Sequence, residues 1–428
     1  MRTALRLVLT LTCASFVSAG CDSGSAGDDG TDDMRQEPEL GDTPLPACDA
    51  AVFTYEQIVA ESALPNPDVD YVITLYRGED PDFSGESPTA GGSALQRWVR
   101  EVGARLGRVS DGVLWDDAEI ESALADATLA ADAGDGEALH RALVEVGSAI
   151  RRVASLDMRA RIAGVADALP DPARDPALLH AEWDTAYCVW SGFLLPEAKR
   201  IDADPVAGDP VWETEITDAF EAGHDGIEGD EEAWASDEWA TKPAKQIIEK
   251  SSFAVAHRSL LDYARTAKQG SDTVAAHMAL GDLWLLEDRL RERNTPGMEE
   301  IRTMLEGETA TIDAEFIEVE MDIAFVKRAR KYCDEALVDA TSGTPGGLKG
   351  AWEGTIYTRV VLPQMQRALQ SEGFDATSYM QTWADFRAAV ESDDIPALQS
   401  ASAELVDWNC RFQAALGIES CNADQDEL

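Results

Sequence analysis

Basic residues are scarce in this 428-residue chain. The 35 Lys and Arg residues stand against 81 Asp and Glu, which gives a formal net charge of −46. A protein that binds nucleic acid needs a basic face to neutralise phosphates, and one held electrostatically on anionic lipid needs such a face as well. The deficit argues against both classes. The acidity has two interpretations: a solvated surface that maintains solubility, or a surface that attracts cations.

Long apolar segments and catalytic motifs are also lacking. Beyond the first 20 residues no stretch contains eighteen uncharged apolar residues, so the sequence predicts no transmembrane helix. It contains no GxSxG, HExxH or P-loop sequence and no glycine-rich dinucleotide motif in a strand-turn-helix context. We therefore expect that the protein is not an enzyme. An exported hydrolase is a further alternative, because the residues of a catalytic triad can be far apart in sequence and meet only in the folded chain.

The N-terminus has the pattern of an export signal. Arg2 and Arg6 accompany a mainly apolar stretch over 5–17 that is too short to span a bilayer. Small residues at 18–20 then precede Cys21, which is typical of a lipoprotein signal peptide spanning 1–20. An ordinary secretory signal cut near residue 20 is the alternative. Both interpretations predict an extracytoplasmic mature chain.

The lipoprotein interpretation assigns Cys21 as the lipidation site. Acyl chains such as palmitate on Cys21 would hold the protein in a lipid bilayer of the bacterial cell envelope, on the periplasmic or the outer surface. Residues 21–47 contain Asp, Gly, Ser, Glu and Pro with almost nothing to bury, which predicts a disordered acidic tether.

Five further cysteines follow Cys21, and none lies in a CxxC or Cys-His metal spacing. Disulfides are permitted outside the cytoplasm. Cys410 and Cys421 close a short loop and are the best candidate pair. The sequence leaves the partners of Cys48, Cys188 and Cys333 open.

The body of the chain is predicted to be all-α. From about residue 54 apolar residues recur at intervals of three and four, which predicts ten or more helices of ordinary length. One segment, 69–76, has strand character but no partner strand, so we assign it to a short helix or a loop. Glycine, proline and small polar residues predict breaks at 133–136, 170–172, 294–297 and 342–347.

A weak internal repeat divides the body. At an offset of 169 residues (352 − 183) Trp183 aligns with Trp352, and an Arg-Ala-Arg sequence in each half keeps the same register. We interpret the body as two weakly related helical units, 48–295 with an N-terminal extension and 296–428. We expect the two tryptophans in equivalent buried places. Coincidence within Ala-rich helices is the alternative.

Two sets of acidic residues are candidate metal ligands. Steps of three and four residues place side chains on one helical face, where like charges repel unless a cation neutralises them. Carboxylate and imidazole donors suit iron, zinc or manganese, so iron or another divalent cation is the predicted cofactor. The alternative is two solvated faces. The first set is Asp218, Glu221, His224, Asp225, Glu228 and Glu231; the second is Glu315, Glu318 and Asp322.

Four segments give the chain a resemblance to a known family. They are the Glu-x-x-Glu pairs at 228–231 and 315–318 and the tryptophan segments 183–187 and 351–357. With its export signal and duplicated helical body it resembles the Fe-assimilating protein family, the low-iron-inducible periplasmic proteins, and its bacterial lipoprotein relatives. The resemblance covers most of 50–421. It implies extracytoplasmic iron assimilation or buffering without catalysis, together with a metal-uptake partner protein of unknown identity. A structural or interaction lipoprotein is the alternative function.

Overall fold

Helices make up nearly all of the described chain, so the predicted all-α class is confirmed. The structure, a computed structural model, describes residues 46–78, 92–110, 112–171, 173–206, 208–227, 234–341 and 346–421. Within these ranges no helix has the length and apolar character needed to cross a membrane. Cys21, Glu228 and Glu231 lie outside them.

Fourteen labelled helices and one short hairpin follow one another along these ranges. The helices are α1 (Pro46–Ser62), α2 (Val69–Arg77), α3 (Ala94–Arg105), α4 (Trp115–Ala133), α5 (Gly136–Ala168), α6 (Pro176–Val189), α7 (Leu195–Asp202), α8 (Trp212–Asp225), α9 (Trp234–Gly270), α10 (Thr273–Glu306), α11 (Ala314–Thr341), α12 (Gly346–Leu369), α13 (Ala376–Glu391) and α14 (Ile395–Ala415). A π-helical turn, Trp190–Leu194, joins α6 to α7, and 3-10 turns cover Thr309–Thr311 and Gln370–Glu372. Strands β1 (Val109–Ser110) and β2 (Val113–Leu114) pair antiparallel.

The helices α9 and α10 contact helices from both halves of the chain. In the N-terminal half, α5 packs against α4, α6 and α10, and α8 packs against α9. In the C-terminal half, α11 packs against α12 and α14, and α13 packs against the same two helices. The described residues all fall within one compact unit, 40–428, so the division at 295/296 stays a prediction.

Most predicted boundaries coincide with helix ends. The breaks at 133–136, 170–172 and 342–347 separate α4 from α5, α5 from α6 and α11 from α12. The segment 69–76 is helical, within α2. One boundary differs, because α1 already begins at Pro46, inside the proposed tether, and Cys48 is buried in the core.

The predicted break at 294–297 is a kink inside α10. Asn294 has φ −154° and ψ 62°, and its Oδ1 accepts the backbone N–H of Gly297 at 3.3 Å, as an N-cap does. Pro296 then occupies the first turn of the following segment, where its missing N–H costs no hydrogen bond. The Asn294 amide also donates to the Glu320 carbonyl at 2.8 Å. A second helical segment of α10 therefore begins directly after the kink, with no loop between the two.

Part of the acidity serves as helix capping. An aspartate side chain accepts a backbone N–H at the start of several helices, which satisfies a donor that has no partner inside the helix. Each such cap also places negative charge at the positive end of the helix dipole. These capping residues are Asp68, Asp135, Asp175, Asp272, Asp375 and Asp394.

Two disulfides link the described cysteines. Cys410 pairs with Cys421, as predicted. Cys48 in α1 pairs with Cys188 in α6 across a sequence separation of 140 residues. The remaining thiol, Cys333, is buried, and burial raises its pKa to about 12.

The two aligned tryptophans do not occupy equivalent places. Trp183 is fully buried, whereas Trp352 is only partly buried and lies beneath the Arg387 guanidinium, 4.1 Å from the ring centroid. In the C-terminal half the fully buried indole that packs on a helical glycine is Trp383, against Gly354 of α12. The expectation for Trp352 was therefore wrong.

Candidate functional site

The acidic residues of α8 divide between solvent and the interior. Asp218 and Asp225 are exposed, and Glu221 is half-buried. His224 turns inward, with only 12% of its side chain exposed. The two aspartates are therefore solvated, as the alternative interpretation of this stretch expects, while the imidazole is not.

His224 meets two side chains from α6. Its Nε2 atom lies 3.6 Å from Oδ1 of Asp184, and its ring centroid lies 4.3 Å from that of His180. His180 and Asp184 are four residues apart on one helix, so they occupy neighbouring turns of one face. We refer to Asp184 and His224 as the Asp184–His224 pair.

A glycine and a tryptophan set the distance between α6 and α8. The Trp183 indole is fully buried and donates its Nε1–H to the Phe220 carbonyl at 2.8 Å. A Cβ atom at Gly223 would overlap the Trp183 ring, so only glycine permits this approach. Asp184 follows Trp183, and His224 follows Gly223. The helix contact therefore brings the pair together.

The pair is buried without satisfying hydrogen bonds. Asp184 is 6% exposed, and burial raises the pKa of its carboxyl group, against a smaller lowering by His224. Neither Asp184 Oδ1 nor His224 Nε2 has a hydrogen-bond partner among the described residues. Buried polar atoms in proteins normally have one, so two facing atoms without partners call for an explanation.

The second acidic set has its own basic partners. Glu315 is exposed, whereas Glu318 accepts from Arg367 at 2.7 Å and lies 3.9 Å from Arg265. Asp322 is fully buried and lies 3.2 Å from Nε2 of His257.

Tautomer and charge follow from the neighbours of His257. An arginine can only donate, so Arg258 Nη1, 3.2 Å from Nδ1 of His257, makes that nitrogen an acceptor. The proton therefore sits on Nε2 and points to Asp322. Burial lowers the pKa of His257 to about 3 and raises that of Asp322 well above its usual value. Asp322 therefore belongs to a buried hydrogen-bond network with His257 and Arg258, whereas Glu315 faces solvent.

No group of three or more His, Cys, Asp and Glu side chains within the described ranges is placed to hold a metal ion. Of the candidate ligands, the structure brings His224 to a buried carboxylate, and it separates Asp218 and Asp225 from that contact. Asp184 and His180 are not among the ligands that the sequence predicts. Their four-residue spacing on a predicted helix was the available signal, but their contact with His224 is tertiary.

Comparison of the chain with protein-family models, with curated proteins and with solved structures finds no match.

Proposed function

We propose that this protein is an extracytoplasmic, lipid-anchored protein that binds a divalent cation at the Asp184–His224 pair, with iron as the first candidate, and that it buffers or hands on the ion without catalysis. The observation that supports the proposal is the pair of buried atoms, Asp184 Oδ1 and His224 Nε2, which face each other without hydrogen bonds.

The distance within the pair suits a shared cation. At 3.6 Å the two atoms are too far apart for a good hydrogen bond. Two metal–ligand bonds of about 2.1 Å that meet at an angle of about 120° would span the same distance. One imidazole and one carboxylate match the donors that iron, zinc and manganese accept in proteins.

A complete site needs more donors than these two. Glu228 and Glu231, which the sequence predicts as carboxylate ligands, lie outside the described residues. Asp218 and Asp225 are left as solvated surface. The resemblance to iron-assimilating proteins favours iron within this group of metals.

Metal titration of two matched variants tests the proposal. Asp184→Asn and Asp225→Asn make the same chemical change, one at the buried pair and one at the exposed end of α8. We expect Asp184→Asn to weaken ferrous or manganous ion binding at least about tenfold, or about 1.4 kcal/mol, and Asp225→Asn to leave it nearly unchanged. Calorimetric titration of the full chain, purified without chelator, measures both.

Two further measurements sharpen the test. Binding should weaken as the pH falls, because protons compete for Asp184, whose pKa is raised. In chelator, Asp184→Asn should unfold no more easily than the wild type, since it replaces a buried carboxylate, whose charge burial disfavours, with a neutral amide. Equal losses in both aspartate variants, or no binding tighter than about millimolar, would support a structural or interaction lipoprotein with a solvated acidic surface.

The lipid anchor is tested separately. We expect Cys21→Ser to move the protein from the membrane fraction to the soluble extracytoplasmic fraction, because several acyl chains on one cysteine give firm attachment that a bare chain lacks. Fractionation and mass spectrometry of the mature N-terminus measure this. A wild-type chain that is soluble, or whose mature N-terminus lies elsewhere, would contradict the anchor without bearing on the metal site.

A further inference from the structure

A cavity of about 520 Å³ lies among α1, α5, α10 and the π-helical turn. This volume is within the range of about 300–1,000 Å³ typical of small-molecule sites. Most of the cavity surface is apolar, which favours a ligand with an apolar body. The apolar lining includes Tyr55, Ile58, Leu143, Phe193, Val274 and Met278.

Two glycines shape this cavity. At Gly147 of α5, which lines the cavity, a Cβ would meet no atom within 4 Å, so this position borders empty space. A Cβ at Gly192 in the π-helical turn would overlap the Val52 side chain, so glycine there lets α1 lie close to the turn. The Cys48–Cys188 disulfide holds α1 to α6 beside it.

Two polar atoms of the lining residues are closed to a ligand. Ser148 Oγ and Arg151 Nη2 are buried and have no open surface. Arg151 Nη2 is already engaged in an ion pair, 3.1 Å from Asp282 Oδ1. A molecule in the cavity therefore contacts neither atom.

Two other polar atoms, Arg151 Nη1 and Glu197 Oε2, remain open. Glu197 Oε1 accepts from Arg200 at 2.9 Å and from the Ser259 hydroxyl, whereas Oε2 accepts from no described residue. Arg151 Nη1 likewise donates to no described residue, and neither open atom is among the side-chain atoms closed to solvent. Since both residues line the cavity, they offer it one donor and one acceptor.

The distance between these two atoms suits a bridging group. Arg151 Nη1 and Glu197 Oε2 are 3.9 Å apart, which is too far for a direct hydrogen bond. Two hydrogen bonds of about 2.8 Å that meet at about 90° on one oxygen atom would span this distance. A hydroxyl group supplies both, because it can accept from the arginine and donate to the carboxylate.

The surrounding charges favour an uncharged head. Arg151 and Arg200 face Glu197 and Asp282, which gives two charges of each sign. An ammonium or a carboxylate head would add a charge without a partner, and burying an unpaired charge is costly. An ammonium also cannot accept from Arg151, and a carboxylate cannot donate to Glu197.

We propose that this cavity binds a small uncharged molecule with an apolar body and one hydroxyl group, and that the hydroxyl bridges Arg151 Nη1 and Glu197 Oε2. The apolar body fills the space among α1, α5 and α10. This site is separate from the Asp184–His224 pair, and neither proposal depends on the other.

Four probes of similar size test the proposal: 1-octanol, its isomer 1-methoxyheptane, octanoate and octylammonium. The ether accepts a hydrogen bond but donates none, so it cannot bond to Glu197. The protein is the full chain carrying Cys21→Ser, so that no detergent competes for the cavity. Calorimetric titration at pH 7 measures each affinity.

A pair of glycine variants locates the binding. Gly147→Leu fills the cavity. Gly164→Leu is its matched control, since Gly164 lies in the same helix and a Cβ there also meets no atom within 4 Å. Circular dichroism verifies that each variant is folded.

We expect octanol to bind at least about tenfold more tightly than each of the other three probes. Gly147→Leu should weaken octanol binding at least about tenfold, while Gly164→Leu binds as the parent chain does. Failure of octanol to bind, equal binding by Gly147→Leu, or equal or tighter binding of any other probe would overturn the proposal. The probe comparison needs no variant, so it decides the proposal even if Gly147→Leu does not fold.

Discussion

At the scale of single residues, Gly223 has the largest structural consequence for the candidate site. We predict that Gly223→Ala destabilises the protein by about 1–3 kcal/mol, because its Cβ would overlap the buried Trp183 indole and force α6 and α8 apart. Gly164→Ala is the control: this glycine is exposed on α5, and alanine there should add about 0.5–1 kcal/mol through helix propensity alone. Urea unfolding of the two variants measures both changes.

The distinguishing result is that the two substitutions change the free energy of unfolding in opposite directions. A stabilising effect of alanine at both positions would show that α8 can move away from Trp183 at no cost. The approach of the two helices would then not be fixed by glycine. If the proposed cation site is correct, Gly223→Ala should also weaken metal binding, since it displaces His224 from Asp184.

The sequence pointed to His224 but not to Asp184 and His180, which the structure places beside it; a metal-binding role for His224 stays a prediction. The sequence marked α8 because its acidic residues and histidine recur at helical spacing. Gly223 is a poor helix former by local propensity, yet it lies inside α8. The structure shows why glycine is present: the residue is conformationally costly within α8 but makes room for Trp183. That reason lies on another helix, so local propensity could not reveal it.

At the scale of elements, hydrophobic periodicity predicted the helices, and turn residues predicted the breaks between them. The break at 294–297 takes the form of a kink, where Asn294 leaves the helical conformation and caps the segment that follows. The composition of residues 294–297 is typical of a loop. Only the capping geometry of Asn294 distinguishes a kink within a helix from the end of a helix.

Pro363 within α12 shows the same limitation. Proline has no N–H, so the carbonyl four residues earlier, that of Arg359, loses its helical partner. Arg258 on α9 donates to that carbonyl at 3.1 Å and to the Val360 carbonyl at 2.9 Å, and it also pairs with Asp209. The Arg258 side chain on α9 thus donates a hydrogen bond to the carbonyl that loses its helical partner at Pro363. The sequence of α12 alone does not indicate this hydrogen bond.

At the scale of the whole molecule, the two disulfides close loops of very different length. In the chain-entropy account, a crosslink stabilises more when it closes a longer loop. We predict that Cys48→Ala with Cys188→Ala lowers the free energy of unfolding by about 5 kcal/mol, and that Cys410→Ala with Cys421→Ala lowers it by about 3 kcal/mol. Urea unfolding under non-reducing conditions measures both losses.

Cys333 should not disturb this comparison. Its thiol is buried and its raised pKa keeps it protonated, so it is a poor partner for disulfide exchange. A loss from the long-range pair no larger than that from the short loop would contradict the entropic account. Only the short pair could be predicted from sequence, because proximity along the chain favours it. The partner of Cys48 depends on how α1 lies against α6.

The position of Cys48 also determines how the molecule bears mechanical load. Cys48 is the third residue of α1, so tension applied through the residues before 46 reaches a covalent bond within the first helical turn. The force passes to α6, whose Trp183 is fully buried, and does not peel α1 away from the body. The buried contacts that α1 makes through Ala51, Tyr55 and Ile58 should therefore keep their arrangement while the N-terminus is pulled.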